Sequence, residues 1–228
     1  PWIVVVPLVG LPLWLAMVPF SWPTLFAGLC CFFLFDSLGV QIAVHKCLSH
    51  RSFLISRWPR NLLAGLSVLS GQGSPLVWVA VHMGGHHPHS DTSADPHTPA
   101  KGRWYAFLAW YWRMNTAQIN FRPARVYLSD PWLCALHRHH GLILLCYWLG
   151  LGVFLGSAGW VYLGLLPAAL SILLVGLVNS SLHRPESRGK QARWLYQNHT
   201  GDRTYNSILL GPLTMGLGFH NNHHHAPS

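Results

Sequence analysis

Two long stretches of the chain, residues 1–45 and 139–183, are apolar and free of lysine and arginine. In the first stretch, residues 2–20 and 24–44 are each about as long as a helix that crosses a bilayer. Only Ser21–Pro23 separate these two runs. Because so short a connection joins antiparallel neighbours, the pattern predicts a helical hairpin that enters and leaves the membrane by one face.

The second stretch repeats this pattern. Residues 141–157 and 160–178 are uncharged, and small residues between Gly156 and Gly159 divide them. Four transmembrane helices in two hairpins would leave residues 45–138 and 183–228 on one side of the membrane as a helical cap. We therefore predict an all-α integral-membrane fold with a single domain over residues 1–228.

The charge distribution supports this topology. Apolar residues make up 51% of the 228 residues and charged residues only 9%, far below the roughly 25% of an ordinary soluble domain. All 15 lysines and arginines fall outside the two apolar stretches, so the positive-inside rule places the cap in the cytoplasm. The formal charge of +9 is then explained by topology and contact with lipid headgroups, and not by nucleic-acid binding. The expected location is a bacterial inner membrane or the endoplasmic reticulum.

One further apolar segment, residues 62–81, is long enough to span by hydropathy alone. If it spanned, histidines before and after it would lie on opposite sides of the membrane. The interruption Gly-Gln-Gly-Ser-Pro at 71–75 favours a broken, non-spanning segment. Asp36 is the only acid in the first hairpin; an acid there is either functional or simply bonded to a neighbouring helix. The five cysteines form no CxxC pair and are interpreted as structural.

Histidines are concentrated in three short segments outside the apolar stretches: His45/His50, His82/His86/His87 and His220/His223/His224. On an α-helix, the i, i+4 and i, i+3, i+4 spacings of the second and third segments collect side chains on one face. The five-residue spacing of the first separates its side chains by about 140°, yet both imidazoles can reach a metal from that helix end. A single histidine of this kind is usually a hydrogen-bonded core residue. Three such segments on one side of a membrane indicate a metal site.

Asn179 and His183 add a fourth element at the end of the last apolar run, again at i, i+4. The total of nine candidate imidazoles is too many for one ion and fits two. Imidazole alone does not choose among Fe, Cu and Zn.

These segments carry a specific resemblance. The sequences HKCLSHRSF (45–53), HMGGHHPHSDTSADPH (82–97), NSSLH (179–183) and HNNHH (220–224) resemble, in order, the histidine boxes of integral-membrane fatty acid desaturases, particularly the Δ9 acyl desaturase branch. There are two departures from that branch. The second box reads HX3HH where the branch usually has HX2HH, which bears on His82, and Leu217 stands where relatives often carry Glu.

The resemblance implies two iron ions, cycling between Fe2+ and Fe3+, with O2 as co-substrate. It assigns nine metal ligands and one residue, Asn179, that reaches an iron through water. The implied ligands are His45, His50, His82, His86, His87, His183, His220, His223 and His224.

Other residues of the boxes receive supporting roles as expectations. The carboxylates of Asp91 and Asp95, with His89 and His97, are expected behind the ligands, where metal-bound histidines usually donate their outer N–H; the alternative is a polar surface loop. Trp78, one helical turn before His82, either lines a substrate tunnel or is an ordinary interfacial tryptophan.

The implied activity is removal of two vicinal hydrogens from a saturated fatty acyl chain to form a double bond. The acyl group would be carried by CoA, acyl carrier protein or a lipid, and electrons would come from an external carrier such as ferredoxin or cytochrome b5, since the sequence shows no motif for a redox cofactor of its own. A membrane di-iron hydroxylase or related C–H oxidase is the nearest alternative. A histidine-rich membrane metal transporter is a more distant one and predicts ligands at mid-membrane.

Overall fold

The structure is a computed structural model and describes residues 2–183, 193–199 and 203–227. These residues are predominantly helical. The α-helices are α1 (Trp2–Leu15), α2 (Trp22–Phe32), α3 (Arg57–Val68), α4 (Pro75–Val81), α5 (His87–His89), α6 (Trp110–Arg113), α7 (Pro131–Gly159), α8 (Leu166–Leu182), α9 (Leu210–Leu213) and α10 (His220–His225). Four π-helical segments continue or precede them, at Phe33–Ser49, His82–His86, Tyr105–Ala109 and Trp160–Leu165. Short 3-10 turns lie at Pro99–Lys101, Thr116–Gln118 and Arg122–Tyr127.

A two-stranded antiparallel sheet departs from the all-α prediction. Strand β1 (Leu195–Tyr196) pairs with β2 (Asn206–Ser207), with Leu195 opposite Ser207. Its brevity explains why periodicity did not reveal it, because two residues cannot show an alternation of polar and apolar positions.

The first predicted hairpin forms, with different bounds. Helix α1 ends at Leu15, five residues before the predicted end. Helix α2 starts at a cap in which Ser21 Oγ accepts from Thr24 N, and its π-helical continuation runs to Ser49. The helix therefore passes the predicted end at residue 44, and His45 lies inside it. The combined helix Trp22–Ser49 is long and apolar enough to cross a membrane by length and composition.

The second apolar stretch folds back on itself. Helix α7 begins at Pro131, ten residues before the predicted start, where the Asp130 carboxylate accepts from the backbone of Trp132 and Leu133. Gly156 breaks the helix with φ 67°, a left-handed conformation that favours glycine. Beyond it, Tyr147 Oη donates to Leu163 O at 2.9 Å, which shows that the two arms pack antiparallel.

Counted as one apolar helical stretch, Pro131–Leu182 is the second of two candidate membrane spans in the described residues. Helix α1, at 14 residues, is shorter than a span. The four-span arrangement therefore stays a prediction.

The segment 62–81 is broken, as its Gly-rich interruption predicted. Helix α3 ends at Val68 and α4 begins at Pro75, capped by Ser74 Oγ, which accepts from Val77 N. The main hydrophobic core lies where these helices meet the end of the π-helical continuation of α2 and the start of α7, and it includes Val44, Leu48, Val68, Leu76 and Leu133. This core sets the end of that continuation beside the end of α4, and the first two histidine segments begin there.

Candidate metal centre

The first histidine segment is arranged by a π-helical turn. The backbone N–H of His50 donates to His45 O at 3.1 Å, an i→i+5 bond that widens the turn. Residues five apart are closer in azimuth in such a turn than the about 140° that separates them on an α-helix. The two rings are consequently 4.9 Å apart, centre to centre.

The second segment uses the same device. His82–His86 is π-helical, and His87 N donates to His82 O, so His82 and His87 share a face and their Nε2 atoms are 3.1 Å apart. The wider turn accommodates the extra residue of the HX3HH spacing. Gly84 allows the turn to lie close to the chain, since a Cβ there would be 2.5 Å from Asn120 O.

The third segment is helical, as its spacing predicted. Helix α10 presents His220, His223 and His224 together, while His225 points elsewhere and stacks on His199 with ring centres 3.5 Å apart. The two asparagines between the histidines anchor the helix. Asn221 Oδ1 accepts from the backbone N–H of His199 at 2.8 Å, and Asn222 Oδ1 accepts from the Asn206 side chain at 2.9 Å.

All nine histidines named from the sequence come together in space, and eight form two groups of four. Within each group the ligand nitrogens lie within 4.8 Å of one another. The first histidine group is His45, His50, His82 and His223, and the second histidine group is His86, His183, His220 and His224. His87 lies against the first group, since its Nε2 is 3.1 Å from the Nε2 atoms of both His82 and His223, and it also forms a group with His223 and His224.

The spacing of the inward nitrogens fits metal ligation. Nitrogens bound about 2.1 Å from one ion at right angles lie about 3 Å apart. The Nε2 atoms of His50 and His82 are 2.8 Å apart, those of His45 and His223 are 3.2 Å apart, and those of the second-group residues His183 and His220 are 2.7 Å apart. Convergent imidazole nitrogens suit Zn, Cu, Fe or Ni.

Carboxylates hold the outer nitrogens of two histidines of the second group. His86 Nδ1 lies 3.0 Å from Asp95 Oδ2, and His183 Nδ1 lies 3.3 Å from Asp91 Oδ1. A carboxylate at Nδ1 keeps the proton there and leaves the Nε2 lone pair directed inward, which is the tautomer that binds a metal.

Burial also keeps these imidazoles neutral. It lowers the pKa of His50 to about 4, with a smaller contribution from the neighbouring His224 ring. For four others burial first, and neighbouring imidazoles second, hold the pKa well below its usual value: His82, His86, His220 and His223. Neutral imidazole is the form that ligates a metal.

The remaining predicted residues divide into those near the groups and one that is not. His97 is buried, its backbone N–H donates to Asp95 Oδ1 at 3.1 Å, and its ring lies 4.3 Å from that of His86. Asn179 is buried at the end of α8. His89 is exposed and lies outside the four metal-compatible groups of the described residues. The structure therefore places the exposed His89 side chain outside the centre, although the nearby His86 and His87 belong to it.

A largely apolar cavity of about 370 Å³ reaches both groups, within the usual range for ligand sites. Its wall contains His82 of the first group and His86 and His220 of the second, with Trp78 and Asn179 beside them. The Trp78 ring lies 4.7 Å from that of His82. We call this space the apolar cavity.

A second space, of about 380 Å³, is predominantly polar. It touches His87 and His224 and is also lined by Ser90, Asn221 and the stacked His199 and His225. It shares no lining residue with the apolar cavity. Five of the nine histidines thus face one of these spaces: His82, His86 and His220 the apolar cavity, and His87 and His224 the polar one.

Comparison with known proteins decides the family. The family model described as fatty acid desaturase matches residues 2–228. The chain belongs to the fatty acid desaturase family. It is 32% identical over 214 residues to "Delta-9 acyl-lipid desaturase 2" of Arabidopsis thaliana, covering 92% of this chain and 66% of that protein. It is 31% identical over 214 residues to "sn-1 stearoyl-lipid 9-desaturase" of Anabaena variabilis, covering 92% of this chain and 75% of that protein.

A third relative is "sn-2 palmitoyl-lipid 9-desaturase" of Nostoc sp. (strain 36), 31% identical over 217 residues, covering 91% of this chain and 72% of that protein. This desaturase-family chain thus spans about two thirds to three quarters of the length of these relatives. The resemblance read from the histidine boxes is confirmed at the level of the family.

Sequence reasoning missed several residues that build this desaturase-family site. Asn221 and Asn222 anchor α10, and Gln72 holds the Trp78 indole, whose Nε1 donates to Gln72 Oε1 at 3.0 Å. The sequence did contain a signal for the two asparagines. Asparagine is not favoured inside a helix, so a pair of them between the histidines of the third segment indicated another role. Gln72 carried no signal beyond being polar in an apolar segment.

Proposed function

We propose that this protein is a membrane-embedded acyl desaturase whose two histidine groups hold two irons. The observation that carries the proposal is the apolar cavity that ends on both groups, in a chain of the desaturase family. The reaction removes two hydrogens from neighbouring carbons of a saturated acyl chain and leaves a double bond. O2 is reduced to two waters, with two electrons and two protons supplied from outside.

The histidines of the two groups would each bind one of the two irons. His45, His50, His82 and His223, with His87 against them, would hold one iron. His86, His183, His220 and His224 would hold the other, with Asn179 acting through water. Asp91 and Asp95 orient His183 and His86 by accepting their outer N–H groups. The bound irons supply, with O2, an oxidant for unactivated C–H bonds that no side chain provides.

The acyl chain would lie in the apolar cavity. The wall at Trp78, Val77 and Val81 excludes water and favours a hydrocarbon chain through burial of apolar surface. The Tyr111 hydroxyl on the same wall remains protonated, because burial raises its pKa and the nearby Asp36 carboxylate raises it further. A neutral hydroxyl in this wall costs less to bury than a phenolate.

The membrane arrangement completes the proposal. Residues 2–20, 24–44, 141–157 and 160–178 form four spans in two hairpins of a single domain, and the two apolar helical stretches of the structure support this. The basic residues between and after the hairpins place the centre on the cytoplasmic face. The acyl chain arrives on CoA, acyl carrier protein or a lipid, and an external donor such as ferredoxin or cytochrome b5 supplies the electrons.

A matched pair of variants tests the proposal. His224 and His225 are neighbours on α10, but only His224 belongs to a histidine group. The wild-type protein and His225→Ala, loaded with iron anaerobically and given O2 and a reductant, are expected to hold about two irons and convert saturated acyl chains to alkenes. His224→Ala should lose turnover and part of the iron. Mass spectrometry of the acyl chains and metal analysis measure both effects.

The alternatives give different products. An alcohol labelled from 18O2 in place of an alkene would establish a hydroxylase. Metal movement across sealed vesicles without O2-dependent product would establish a transporter. Equal loss of iron in His224→Ala and His225→Ala would contradict the assignment of the groups.

A further inference from the structure

The acid inside the first hairpin is part of a buried polar network. Asp36 lies in the π-helical continuation of α2 and is 1% exposed. One of its oxygens, Oδ1, accepts from Ser171 Oγ at 2.5 Å and from Gln72 Nε2 at 3.1 Å. The other, Oδ2, accepts from Gln41 Nε2 at 3.5 Å. Three donors from three elements therefore converge on one carboxyl group.

Gln72 connects this network to the turn between α3 and α4. Its Nε2 also donates to Ser171 Oγ at 2.7 Å. Gly71, with φ 76°, brings the turn against α8, where a Cβ would be 3.2 Å from Ala168 Cβ. Because both acceptors face Nε2, the amide of Gln72 has one favourable orientation, with Oε1 turned away from Asp36.

The position of the Trp78 indole depends on this orientation of the Gln72 amide. Its indole Nε1 donates to Gln72 Oε1 at 3.0 Å. The same ring lies 4.7 Å from the His82 ring and 5.4 Å from the His45 ring, and it forms part of the wall of the apolar cavity. A flipped Gln72 amide would place an NH2 group against the indole N–H, which would displace the ring.

We propose that Asp36 is a positioning residue: through Ser171 and Gln72 it fixes the Trp78 indole, and so fixes where an acyl chain lies against the first histidine group. The substrate part of this statement rests on the proposed function. An acid within a membrane segment is costly and is usually functional, and both carboxyl oxygens of Asp36 accept hydrogen bonds here.

Two substitutions of Asp36 separate the effect of its charge from the effect of its hydrogen-bond acceptors. In Asp36→Asn, the remaining Oδ1 can still accept from Ser171 and Gln72. The new NH2 can donate to Gln41 Oε1, which has no hydrogen-bond partner in the described structure, once that amide turns. Asp36→Leu removes both acceptors. The proposal therefore expects Asn, but not Leu, to preserve the position of Trp78.

The direct test needs no turnover. The protein, with its 12 tryptophans replaced by 5-fluorotryptophan, is purified without iron, and its 19F spectrum is recorded; Trp78→Phe identifies the Trp78 resonance. Asp36→Leu and Ser171→Ala should move that resonance, Gln72→Leu should move it at least as far, and Asp36→Asn should leave it near its wild-type position. Gln41→Leu is the matched control, because Gln41 touches only the Oδ2 side.

Ser171→Ala also protects the test against misfolding, since it removes one hydroxyl and leaves the carboxyl group. An unmoved Trp78 resonance in both Asp36→Leu and Ser171→Ala would overturn the proposal. A shift of the Trp78 resonance in Gln41→Leu as large as that in Gln72→Leu would also overturn the proposal. The influence of Asp36 on Trp78 would then not pass through its Oδ1 atom.

Turnover supplies the second readout. A displaced indole should lower kcat/KM by about tenfold, as small misplacements of substrate do, and should broaden the distribution of double-bond positions. Asp36→Leu is expected to show both changes at unchanged iron content, with Asp36→Asn close to wild type. An unchanged product distribution in an Asp36→Leu protein whose Trp78 resonance has moved would overturn the substrate part. A wild-type protein that makes no alkene would overturn the proposed function alone, because the 19F result is independent of it.

Discussion

The two histidine groups contain four imidazoles each but are supported in different ways. In the second group, Asp95 and Asp91 face the outer nitrogens of His86 and His183 at 3.0 and 3.3 Å. In the first group, the indole of Trp78 packs against the rings of His45 and His82. One group is thus oriented by carboxylates and the other packs against an aromatic wall.

This difference implies two unequal metal sites. A carboxylate behind an imidazole raises its basicity and fixes its tautomer, so the second group should be the stronger donor set. An aromatic wall fixes ring orientation by packing and keeps the site dry. We infer that the second group contributes more to metal retention and that the first is the more sensitive to the shape of the apolar cavity.

The largest effect is expected from removing the element that the two groups share. Helix α10 supplies His223 to the first group and His220 and His224 to the second. The triple variant H220A/H223A/H224A should therefore lose the metal of the second group, which keeps only His86 and His183, and should bind the metal of the first group, which keeps His45, His50 and His82, more weakly. Metal analysis of the purified protein measures this, and far-ultraviolet circular dichroism checks that the helices remain.

A triple variant that still bound two irons would show that α10 is not part of either site. His225→Ala provides the control on the same helix.

An intermediate effect is expected from the carboxylates. Asp95→Asn and Asp91→Asn should each weaken metal binding by about 10- to 100-fold, the usual result of losing a partner behind a ligating histidine. One of two irons should become easy to remove while the other remains. Competition with a chelator, followed by metal analysis, resolves the two steps.

Asp130→Asn is the matched control for these carboxylates, since Asp130 is also buried but caps α7 and pairs with Arg57. If both irons were lost together in Asp95→Asn, the groups would not be independent and the contrast between them would fail.

The smallest effect concerns the π-helical turn of the second segment. Gly84→Ala places a Cβ where Asn120 O lies, so the turn must shift, at a cost of about 1–3 kcal/mol. His82, His86 and His87 should then lose part of their alignment, and iron affinity should fall modestly. Thermal unfolding and chelator competition measure the two changes.

Gly150→Ala is the comparison variant, because nothing lies within 4 Å of a Cβ at that helical position. It should change stability by less than about 1 kcal/mol. Equal behaviour of the two alanine variants would show that the turn tolerates displacement.

The sequence predicted which histidines come together but not how the helices allow it. Spacing on an ideal α-helix separates His45 from His50, and only the i→i+5 bond between them explains their contact. Both kinds of turn are built from the same residue types. The pattern of apolar positions within one turn therefore does not show whether that turn is α-helical or contains the additional residue of a π-turn. For the same reason, the sequence did not show that the extra residue of the HX3HH box lies in a π-helical turn, which keeps His82 and His87 on one face.

Element ends were predicted less well than element types. The apolar runs showed where helices must be but not that α2 continues to Ser49 or that α7 begins at Pro131. Both extensions mix polar residues with residues of the main core such as Leu48 and Leu133, so tertiary contacts and not an uninterrupted apolar run decide where these helices end. His89 is exposed and lies outside the groups, because closeness to His86 and His87 along the chain does not decide which side of the short helix α5 a side chain faces.

The long sequence separation within each group has a consequence for folding. His45 and His223 stand 178 positions apart, and His86 and His224 stand 138 apart. Such non-local contacts form late and slowly, since a long loop must close before they contribute. Uptake of the metals therefore reports completion of the whole fold, and bound metal in turn joins remote segments as a cross-link that the unfolded chain lacks.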